Sequence, residues 1–243
     1  RYLIAAGIVA ILLSVFSGPL SNRRIQSRKV SSADLRREIG YSLVTVLLFS
    51  AVGFSVWLGS QYGIFRVQVG LPGAGRLIAE VIGMVLLHDT YFYWMHRMMH
   101  MPKLFKYVHL VHHKSTNPSP WTAYAFHPLE AVLEAMILPL IAFTLPVHNS
   151  AIGFFFLFQI IYNVYGHLGF ELYPKGSHKT WIGKWINTSV AHNLHHDKFH
   201  GNYGLYFLFW DRVMGTLRKE YDSTFEATTE GAVKVGKPVL TVQ

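Results

Sequence analysis

Long apolar runs dominate the first two thirds of the chain, and they predict helices that cross a membrane. A transmembrane helix needs about 20 mostly apolar residues. Candidate runs cover residues 2–16, 39–62 and 77–95, and the second of these holds no charged residue. We interpret the first run as a span, not a signal peptide, because it lacks a small-residue cleavage pattern and further runs follow it.

Two later runs, residues 129–147 and 151–170, are joined by too few residues for anything but a helical hairpin. Pro139 should kink the first arm, since proline removes a backbone donor inside a helix. After residue 171 no run is long enough to span, so short helices in an aqueous lobe are expected. The predicted fold class is all-α: a multi-pass membrane helical bundle of about four to five membrane segments, with a cytoplasmic helical lobe holding a histidine-rich di-metal site.

The same pattern predicts a single domain over residues 1–243. Within it, residues 1–75 would form the N-terminal spans, residues 76–219 the histidine-rich catalytic region, and residues 220–243 a C-terminal tail. The chain shows no internal repeat beyond its histidine motif.

Basic residues are distributed unequally between the loops, and this predicts orientation. Residues 61–76 hold only Arg66 and Arg76, whereas residues 21–38 hold six basic residues: Arg23, Arg24, Arg28, Lys29, Arg36 and Arg37. Because cytoplasmic loops carry the excess of Lys and Arg, residues 21–38 should be cytoplasmic. Counting spans then places residues 96–127, His167 and the C-terminal lobe in the cytoplasm. We therefore expect an integral multi-pass protein of a bacterial inner membrane or of the endoplasmic reticulum.

Composition agrees with this interpretation and excludes several classes of site. The chain is 51% hydrophobic and 14% charged, whereas soluble domains carry about 25% charged residues. The absence of cysteine excludes disulfides, thiolate zinc sites and cysteine-ligated iron–sulfur clusters. The net charge of +9 comes from Lys and Arg flanking apolar runs, and the chain has no nucleic-acid motif, so no nucleic-acid partner is expected.

Histidines crowd into two places, and their spacing predicts metal binding. His96 and His100 are four residues apart, and two separate segments repeat the pattern His-x-x-His-His: His109, His112 and His113, then His192, His195 and His196. Such spacing puts the side chains on one helix face. Histidine is costly near lipid, and clustered cationic rings would repel each other, so a shared cation relieves both problems. Adjacent His112 and His113 diverge, which suits two metals better than one.

The ligand type restricts the metal. Nitrogen-rich sites suit zinc, copper, iron and nickel, and the sequence has no His-Glu-x-x-His zinc hydrolase motif. Two iron ions with open positions would activate molecular oxygen as a co-substrate. Purified material could carry zinc instead, given the order of metal affinities.

Four segments carry a family resemblance: HDTYFYWMHRMMH, LFKYVHLVHH, AFHPLE and HNLHHDKFHGNYGLYFLFWDRVMGT. They resemble the fatty acid hydroxylase superfamily and are most similar to its sterol desaturase branch, from about His88 to Arg218. The resemblance implies an integral-membrane, non-haem, histidine-coordinated di-iron oxygenase. Such enzymes hydroxylate, desaturate or demethylate lipids, using oxygen and external electrons.

The resemblance also implies a ligand set. Members of the family carry short histidine motifs called histidine boxes. The first box corresponds to His96 and His100, and the second and last boxes correspond to the two triplets. Many members have a middle His-x-x-x-His box, where this chain has Asn163-x-x-x-His167, so His167 joins the set. Asn163 could ligate through its carbonyl oxygen, hold a water, or leave the role to His127. The predicted metal ligands are His96, His100, His109, His112, His113, His167, His192, His195 and His196, with His127 and Asn163 as possible additions.

Carboxylates near these histidines are candidate supports, because a ligating histidine usually gives its other N–H to a carboxylate or carbonyl. Asp89, Glu130 and Asp197 are the candidates, and no catalytic residue beyond the ligands is expected. His88 and His200 are weaker ligand candidates, and His148 and His178 are better explained as interface residues.

The predicted function is an oxygen-dependent lipid hydroxylase or desaturase that takes its substrate from the bilayer. The chain has no haem, flavin or iron–sulfur domain, so electrons would come from a ferredoxin or a cytochrome b5-like protein with its reductase. One alternative is a membrane fatty-acyl desaturase of the other histidine-box family. Another is a metal transporter or sensor, but transporter ligands should lie near the bilayer midplane, and here they lie at one surface.

Overall fold

The computed structural model describes residues 1–28 and 30–231, and these are mostly helical, as predicted. The α-helices are α1 Tyr2–Phe16, α2 Ser32–Gln61, α3 Ala74–Met99, α4 Pro102–Val108, α5 Leu110–His113, α6 Pro128–Ala135, α7 Ile137–Thr144, α8 Asn149–Gly166, α9 Ser189–Lys198, α10 Phe209–Val213 and α11 Tyr221–Glu230. Short 3-10 helices cover Ser21–Arg23, Pro120–Tyr124, Ser177–Lys179 and Gly183–Trp185.

The helix α2 begins earlier than its apolar run. Ser31 caps it, because the Ser31 hydroxyl oxygen accepts a hydrogen bond from the Asp34 backbone N–H at 3.1 Å, which satisfies one of the free donors of the first turn. Arg36 and Arg37, expected in a loop, therefore lie in the first turns of the helix. Within the described residues α2, at 30 residues, is the one helix both long and apolar enough to cross a membrane, and the apolar α1 has 15 residues.

The first arm of the predicted hairpin is kinked, as Pro139 predicted, and Met136 between its two helices keeps right-handed helical dihedrals. The kink lies at Met136, between α6 and α7. Pro139 has no backbone N–H for the Ala135 carbonyl, so the helix ends before the proline. The arm then leads into a two-residue parallel pairing that the sequence did not predict, β1 Val67–Gln68 with β2 Val147–His148.

Two hydrophobic cores hold the histidine-bearing elements in place. Between α1, α2 and the Pro120–Tyr124 turn, the rings of Tyr2 and Tyr124 stack at 4.7 Å, and the Tyr2 hydroxyl lies 2.7 Å from the Trp121 carbonyl oxygen. In the C-terminal lobe a second core packs α11 against α9; its buried members are Ile25, Val190, Ala191, Leu194, Leu208, Tyr221 and Phe225. One face of α9 is thus fixed by apolar packing, and its histidines lie on the other.

Candidate metal centre

Nine buried or half-buried histidines form two adjacent clusters. Within each cluster, one ring nitrogen per histidine lies within 4.8 Å of all the others. The first cluster, called here cluster A, consists of His96, His100, His109, His113 and His195; cluster B consists of His112, His167, His192 and His196. These nine are the nine predicted ligands, brought together from four segments of the chain.

Helical geometry explains how the histidines are distributed between cluster A and cluster B. α3 carries His96 in its last turn, and His100 is the residue that caps its C-terminus. His112 and His113 are consecutive in α5, and consecutive helical side chains point about 100° apart, so His113 faces cluster A and His112 faces cluster B. His195 and His196 divide in the same way on α9. The ring centroids of both adjacent pairs are 5.8 Å apart, which links the two clusters.

In cluster B the Nε2 atoms converge on one point. His167, the residue that caps the C-terminus of α8, places its Nε2 3.4 Å from that of His112, 3.0 Å from that of His192 and 3.2 Å from that of His196. The Nε2 atoms of His192 and His196 are also 3.2 Å apart. In cluster A, His96 Nε2 lies 3.0 Å from His109 Nε2, and His113 Nε2 lies 3.2 Å from His100 Nε2.

In five of the nine rings the opposite nitrogen, Nδ1, faces an acceptor. Four of them face backbone carbonyl oxygens: His96 to Tyr203 at 3.0 Å, His167 to Asn163 at 2.7 Å, His195 to Gly201 at 2.7 Å and His196 to Ser115 at 3.1 Å. A carbonyl oxygen only accepts, so each of these Nδ1 atoms carries the proton. The Nε2 of each neutral ring is then left with a lone pair directed into its cluster.

This tautomer assignment creates a conflict that a cation resolves. In cluster B the lone pairs of His167 Nε2 and His196 Nε2 face each other at 3.2 Å. Protonating one ring would relieve the repulsion, but burial and the neighbouring imidazoles hold the pKa of His196 well below its usual value. In cluster A, His195 Nε2 is buried with no hydrogen-bond partner among the described residues. Both clusters therefore have the electronic requirements of metal sites.

The spacing of the nitrogens fits the same interpretation. Two imidazole nitrogens about 2.1 Å from one ion, at coordination angles of about 90 to 109°, lie about 3.0 to 3.4 Å apart. The observed Nε2–Nε2 distances of 3.0 to 3.4 Å cover this interval. Burial is the main cause that lowers the pKa values of five further ring groups well below the usual range, and the neighbouring imidazoles add to it; these are His109, His112, His113, His192 and His195. The lowered pKa values keep these rings neutral and able to bind a metal.

Comparison with known proteins gives the family. The sequence profile of the fatty acid hydroxylase family matches residues 81–216, more than half of the chain and all nine clustered histidines. This chain belongs to the fatty acid hydroxylase family. The predicted resemblance is confirmed.

Its relatives lie in the sterol desaturase branch of that family. The chain is 29% identical over 236 residues to a Delta(7)-sterol 5(6)-desaturase of Gibberella zeae, covering 93% of this chain and 72% of that protein. It is 32% identical to a Delta(7)-sterol 5(6)-desaturase of Leptosphaeria maculans, covering 64% of this chain and 41% of the relative. It is 28% identical to the human lathosterol oxidase, covering 79% and 63%. Two of these three relatives are thus matched over less than two thirds of their length. No solved structure matches the chain.

Of the carboxylates predicted to support ligands in this fatty acid hydroxylase family member, the structure brings one to a histidine. Glu130, fully buried on α6, places Oε1 2.7 Å from His109 Nδ1. Asp89 instead accepts hydrogen bonds from the backbone N–H groups of Tyr206 and Phe207, and Asp197 pairs with Lys198. Asp89 precedes His96 by seven residues, two turns of α3, but backbone donors of a distant loop occupy its carboxylate.

The two possible additional ligands make contacts outside the groups of clustered histidines. His127 caps α6, its Nδ1 accepting from the Leu129 backbone N–H. The Asn163 side-chain NH2 group donates to the Ala123 carbonyl oxygen at 2.9 Å, and the Asn163 backbone carbonyl oxygen accepts from His167 Nδ1. His88 pairs with the Tyr206 hydroxyl, and exposed His200 is likewise outside both clusters.

The supports that sequence reasoning missed are backbone carbonyls and the groups that hold them. Tyr203, whose carbonyl accepts from His96, is fixed by its N–H donating to Asp211 Oδ1 at 2.8 Å. Ser115, whose carbonyl accepts from His196, donates its hydroxyl to the fully buried Glu38 at 2.7 Å. Every residue has a backbone carbonyl, so the residue type does not reveal which carbonyl will accept a hydrogen bond from a clustered histidine. Two residues could have indicated these supports from the sequence. Asp211 lies near the C-terminal histidine triplet, and Glu38 is a lone carboxylate near an apolar run.

Gly201 offers a local test of this support. Its φ is +77°, and an added Cβ would lie 2.8 Å from the Thr216 carbonyl oxygen, while its own carbonyl holds His195. We expect Gly201→Ala to destabilise the fold by about 2 to 4 kcal/mol, combining left-handed strain with the backbone clash, and to weaken metal binding in cluster A. Thermal unfolding and metal titration would measure both.

Gly176→Ala is the matched control for Gly201→Ala. Gly176 has the same φ of +77°, but an added Cβ there would meet nothing within 4 Å. It should cost only the strain, about 1 to 2 kcal/mol, and leave metal binding unchanged. Equal effects of the two substitutions would show that the Gly201 carbonyl has no special role.

Proposed function

We propose that this chain is an oxygen-dependent lipid hydroxylase or desaturase whose two histidine clusters each hold one iron ion. The observation that carries the proposal is the pair of facing lone pairs, His167 Nε2 and His196 Nε2 at 3.2 Å, inside a cluster of buried neutral imidazoles. A cation bound between them makes that arrangement favourable, whereas the lowered pKa of His196 disfavours protonation. Family membership supports lipid oxidation over metal transport or sensing.

The donor set supports iron and two ions rather than one. All nine groups are imidazole nitrogens, a ligand type that suits iron, zinc, copper and nickel, and nine ligands exceed the capacity of a single tetrahedral site. Cluster A would provide five ligands and cluster B four. Iron bound there would supply the activation of molecular oxygen that removal of hydrogen from a lipid carbon requires. Zinc found in purified protein would reflect the order of metal affinities.

The protein's own groups orient the ligands and exclude water. The outward carbonyls and Glu130 fix ring rotation and tautomer, a role whose loss typically lowers metal affinity 10- to 100-fold. Eight of the nine rings are buried, and half-buried His100 in cluster A is the exception. Phe105 and Phe199 flank this side, with ring centroids 5.5 Å and 5.3 Å from that of His113. Cluster A is therefore the more accessible of the two centres.

The exposed surface supports integration into a membrane. Large apolar side chains lie exposed along α1, α2, α3 and α8: they include Ile4, Ile8, Ile11 and Val15, then Leu47, Phe54 and Trp57, then Ile78, Ile82 and Leu86, then Phe154, Leu157 and Ile161. Contiguous apolar stripes of this size are unfavourable in water. We infer that these helices lie in lipid, as a bundle of four to five segments that includes the hairpin, with both clusters at the cytoplasmic face of a bacterial inner membrane or of the endoplasmic reticulum.

The substrate and the electron source follow from this placement. A lipid would enter from the bilayer, and the sterol desaturases and lathosterol oxidase among the relatives favour a sterol-like substrate. Electrons would come from an external ferredoxin or cytochrome b5-like carrier with its reductase. The chain carries Arg97, Lys103, Lys106 and Lys114 but no acidic residue between Asp89 and Glu130, so this cluster-bearing segment would attract an acidic carrier.

Product analysis tests the proposed function directly. Lipid extracts from cells with and without the protein, grown with and without oxygen, should differ by an oxidised lipid that needs both the protein and oxygen. His112→Ala and His195→Ala, one from each cluster, should each abolish the product, whereas His148→Ala should not. A product that persists in both cluster variants would reject the proposal.

A further inference from the structure

A fully buried carboxylate on α2, that of Glu38, lies beside the segment that joins α5 to α6. Glu38 Oε1 accepts a hydrogen bond from the Ser115 hydroxyl at 2.7 Å, and Glu38 Oε2 accepts one from the Ser119 hydroxyl at 2.5 Å. Each carboxylate oxygen thus has its own donor, and the two donors are four residues apart. Glu38 therefore holds this segment at two points.

Arg37 adds a charged group to the first of these contacts. Its Nη2 donates to the Ser115 hydroxyl oxygen at 2.9 Å and lies 3.8 Å from Glu38 Oε1. The Ser115 hydroxyl accepts from the guanidinium and donates to the carboxylate, so its orientation is fixed from both sides. Because a hydrogen bond from a charged donor is stronger than a neutral one, α2 and this segment should move together.

The first point of contact holds a ligand of cluster B directly. The Ser115 side chain donates to Glu38, while the backbone carbonyl oxygen of the same residue accepts from His196 Nδ1 at 3.1 Å. A displacement of Ser115 would therefore move the group that fixes the ring rotation of His196. A single residue separates the carboxylate from the imidazole.

The second point of contact reaches another ligand of cluster B through α8. Ser119 caps the 3-10 helix Pro120–Tyr124. Within that helix the Ala123 carbonyl oxygen accepts from the Asn163 side chain at 2.9 Å. The Asn163 backbone carbonyl oxygen accepts in turn from His167 Nδ1 at 2.7 Å. The ring rotation of His167 therefore depends on the same segment.

These two contacts are the outward supports of cluster B among the described residues. His112 Nδ1 is buried without a hydrogen-bond partner there, and His192 forms its contacts through Nε2. In cluster A the Nδ1 partners lie elsewhere, on the backbone of residues 201–203 and at Glu130. Each cluster thus has a buried carboxylate of its own, Glu130 for cluster A and Glu38 for cluster B.

We propose that Glu38 is a positioning residue for cluster B, which it connects to the apolar helix α2 through the segment of residues 115–123. The inference rests on the proposed function, because it presupposes an ion in cluster B. A carboxylate that served only the fold would affect both clusters alike. A positioning carboxylate should affect the ion held by His167 and His196 and leave cluster A unchanged.

Titration of Co²⁺ into chelator-treated full-length protein in detergent micelles tests this role without requiring turnover, since nitrogen-rich sites bind first-row divalent ions. Wild-type protein should show two binding steps, and the step that His167→Ala removes belongs to cluster B. Glu38→Ala should weaken that step by about 10- to 100-fold and leave the other unchanged. Glu130→Ala should show the opposite pattern. Glu38→Gln keeps an acceptor oxygen and should lose less affinity than Glu38→Ala.

Thr45→Val is the matched control on the same helix. Thr45 follows Glu38 by seven residues, about two turns of α2, and is equally buried. Its hydroxyl has no hydrogen-bond partner among the described residues. The substitution therefore alters a buried position of α2 without removing a contact to the segment, and both binding steps should equal those of wild type.

Ser115→Ala decides the question if Glu38→Ala does not fold, as circular dichroism would show. It removes the hydroxyl contact to Glu38 but keeps the carbonyl that accepts from His196, so it should weaken the cluster B step alone, to a smaller extent. The role of Glu38 is wrong if the folded variant leaves that step unchanged or weakens both steps equally. Wild-type protein without a step that depends on His167 would instead contradict the proposed function itself, and the role of Glu38 with it.

Discussion

Replacing His167 with alanine should remove the ion from cluster B and reduce lipid oxidation by at least about 100-fold. His167 Nε2 is the atom on which the cluster converges, within 3.4 Å of the Nε2 atoms of His112, His192 and His196. Loss of an outer-sphere support alone costs about 10- to 100-fold in affinity or activity, so loss of this ligand should cost more. Metal analysis should show about one ion fewer per chain.

The control for His167→Ala is His200→Ala. His200 is an exposed histidine four residues beyond His196, outside both clusters, so its removal should change neither metal content nor activity. Circular dichroism of both variants would show that the helices persist. If His167→Ala retained wild-type metal content and activity, the assignment of cluster B as a metal site would be wrong.

Replacing Glu130 with alanine should weaken metal binding by about 10- to 100-fold while leaving all nine histidines in place. Glu130 Oε1 lies 2.7 Å from His109 Nδ1, and both side chains are almost fully buried. Without the carboxylate, His109 loses the partner that fixes its ring orientation, and a buried N–H is left unsatisfied. Competition with a chelator of known affinity would measure the change, and Glu130→Gln, which keeps an acceptor oxygen, should show a smaller one.

Glu134→Gln provides the matched control for the metal affinity, because it lies one turn further along α6, is similarly buried and contacts no histidine of either cluster. Its metal affinity should equal that of wild type. Equal losses in Glu130→Ala and Glu134→Gln would mean that the effect comes from disturbing α6 and not from the contact with His109.

Most helices and eight of the nine clustered histidines were predictable from the sequence because they follow from apolar runs and histidine spacing, whereas His167 was predicted from the family resemblance. Apolar runs predicted α1 exactly and α3 nearly so. The consecutive His112 and His113 predicted two centres, since neighbouring helical side chains diverge. Pro139 predicted the kink, which lies at Met136 because proline acts on the carbonyl four residues before it. The start of α2 was missed because Ser31 caps a polar first turn that hydropathy ignores.

The surroundings of the ligands were much less predictable. A carboxylate at the correct helical spacing can still be taken by closer donors, as Asp89 is by the N–H groups of Tyr206 and Phe207. Most outward partners are carbonyls of Tyr203, Gly201, Ser115 and Asn163, whose positions depend on tertiary packing and not on residue type. Asn163 illustrates this, since its side chain suggested a ligand while its backbone does the positioning.

The central claim, two metal ions held by imidazole nitrogen, is tested most directly by counting metal in protein that is still active. Full-length protein purified without chelators should contain two ions per chain, with X-ray absorption showing a first shell of nitrogen and oxygen, and its oxygen-dependent lipid oxidation should rise and fall with iron occupancy. Active protein with less than one ion per chain would contradict the account.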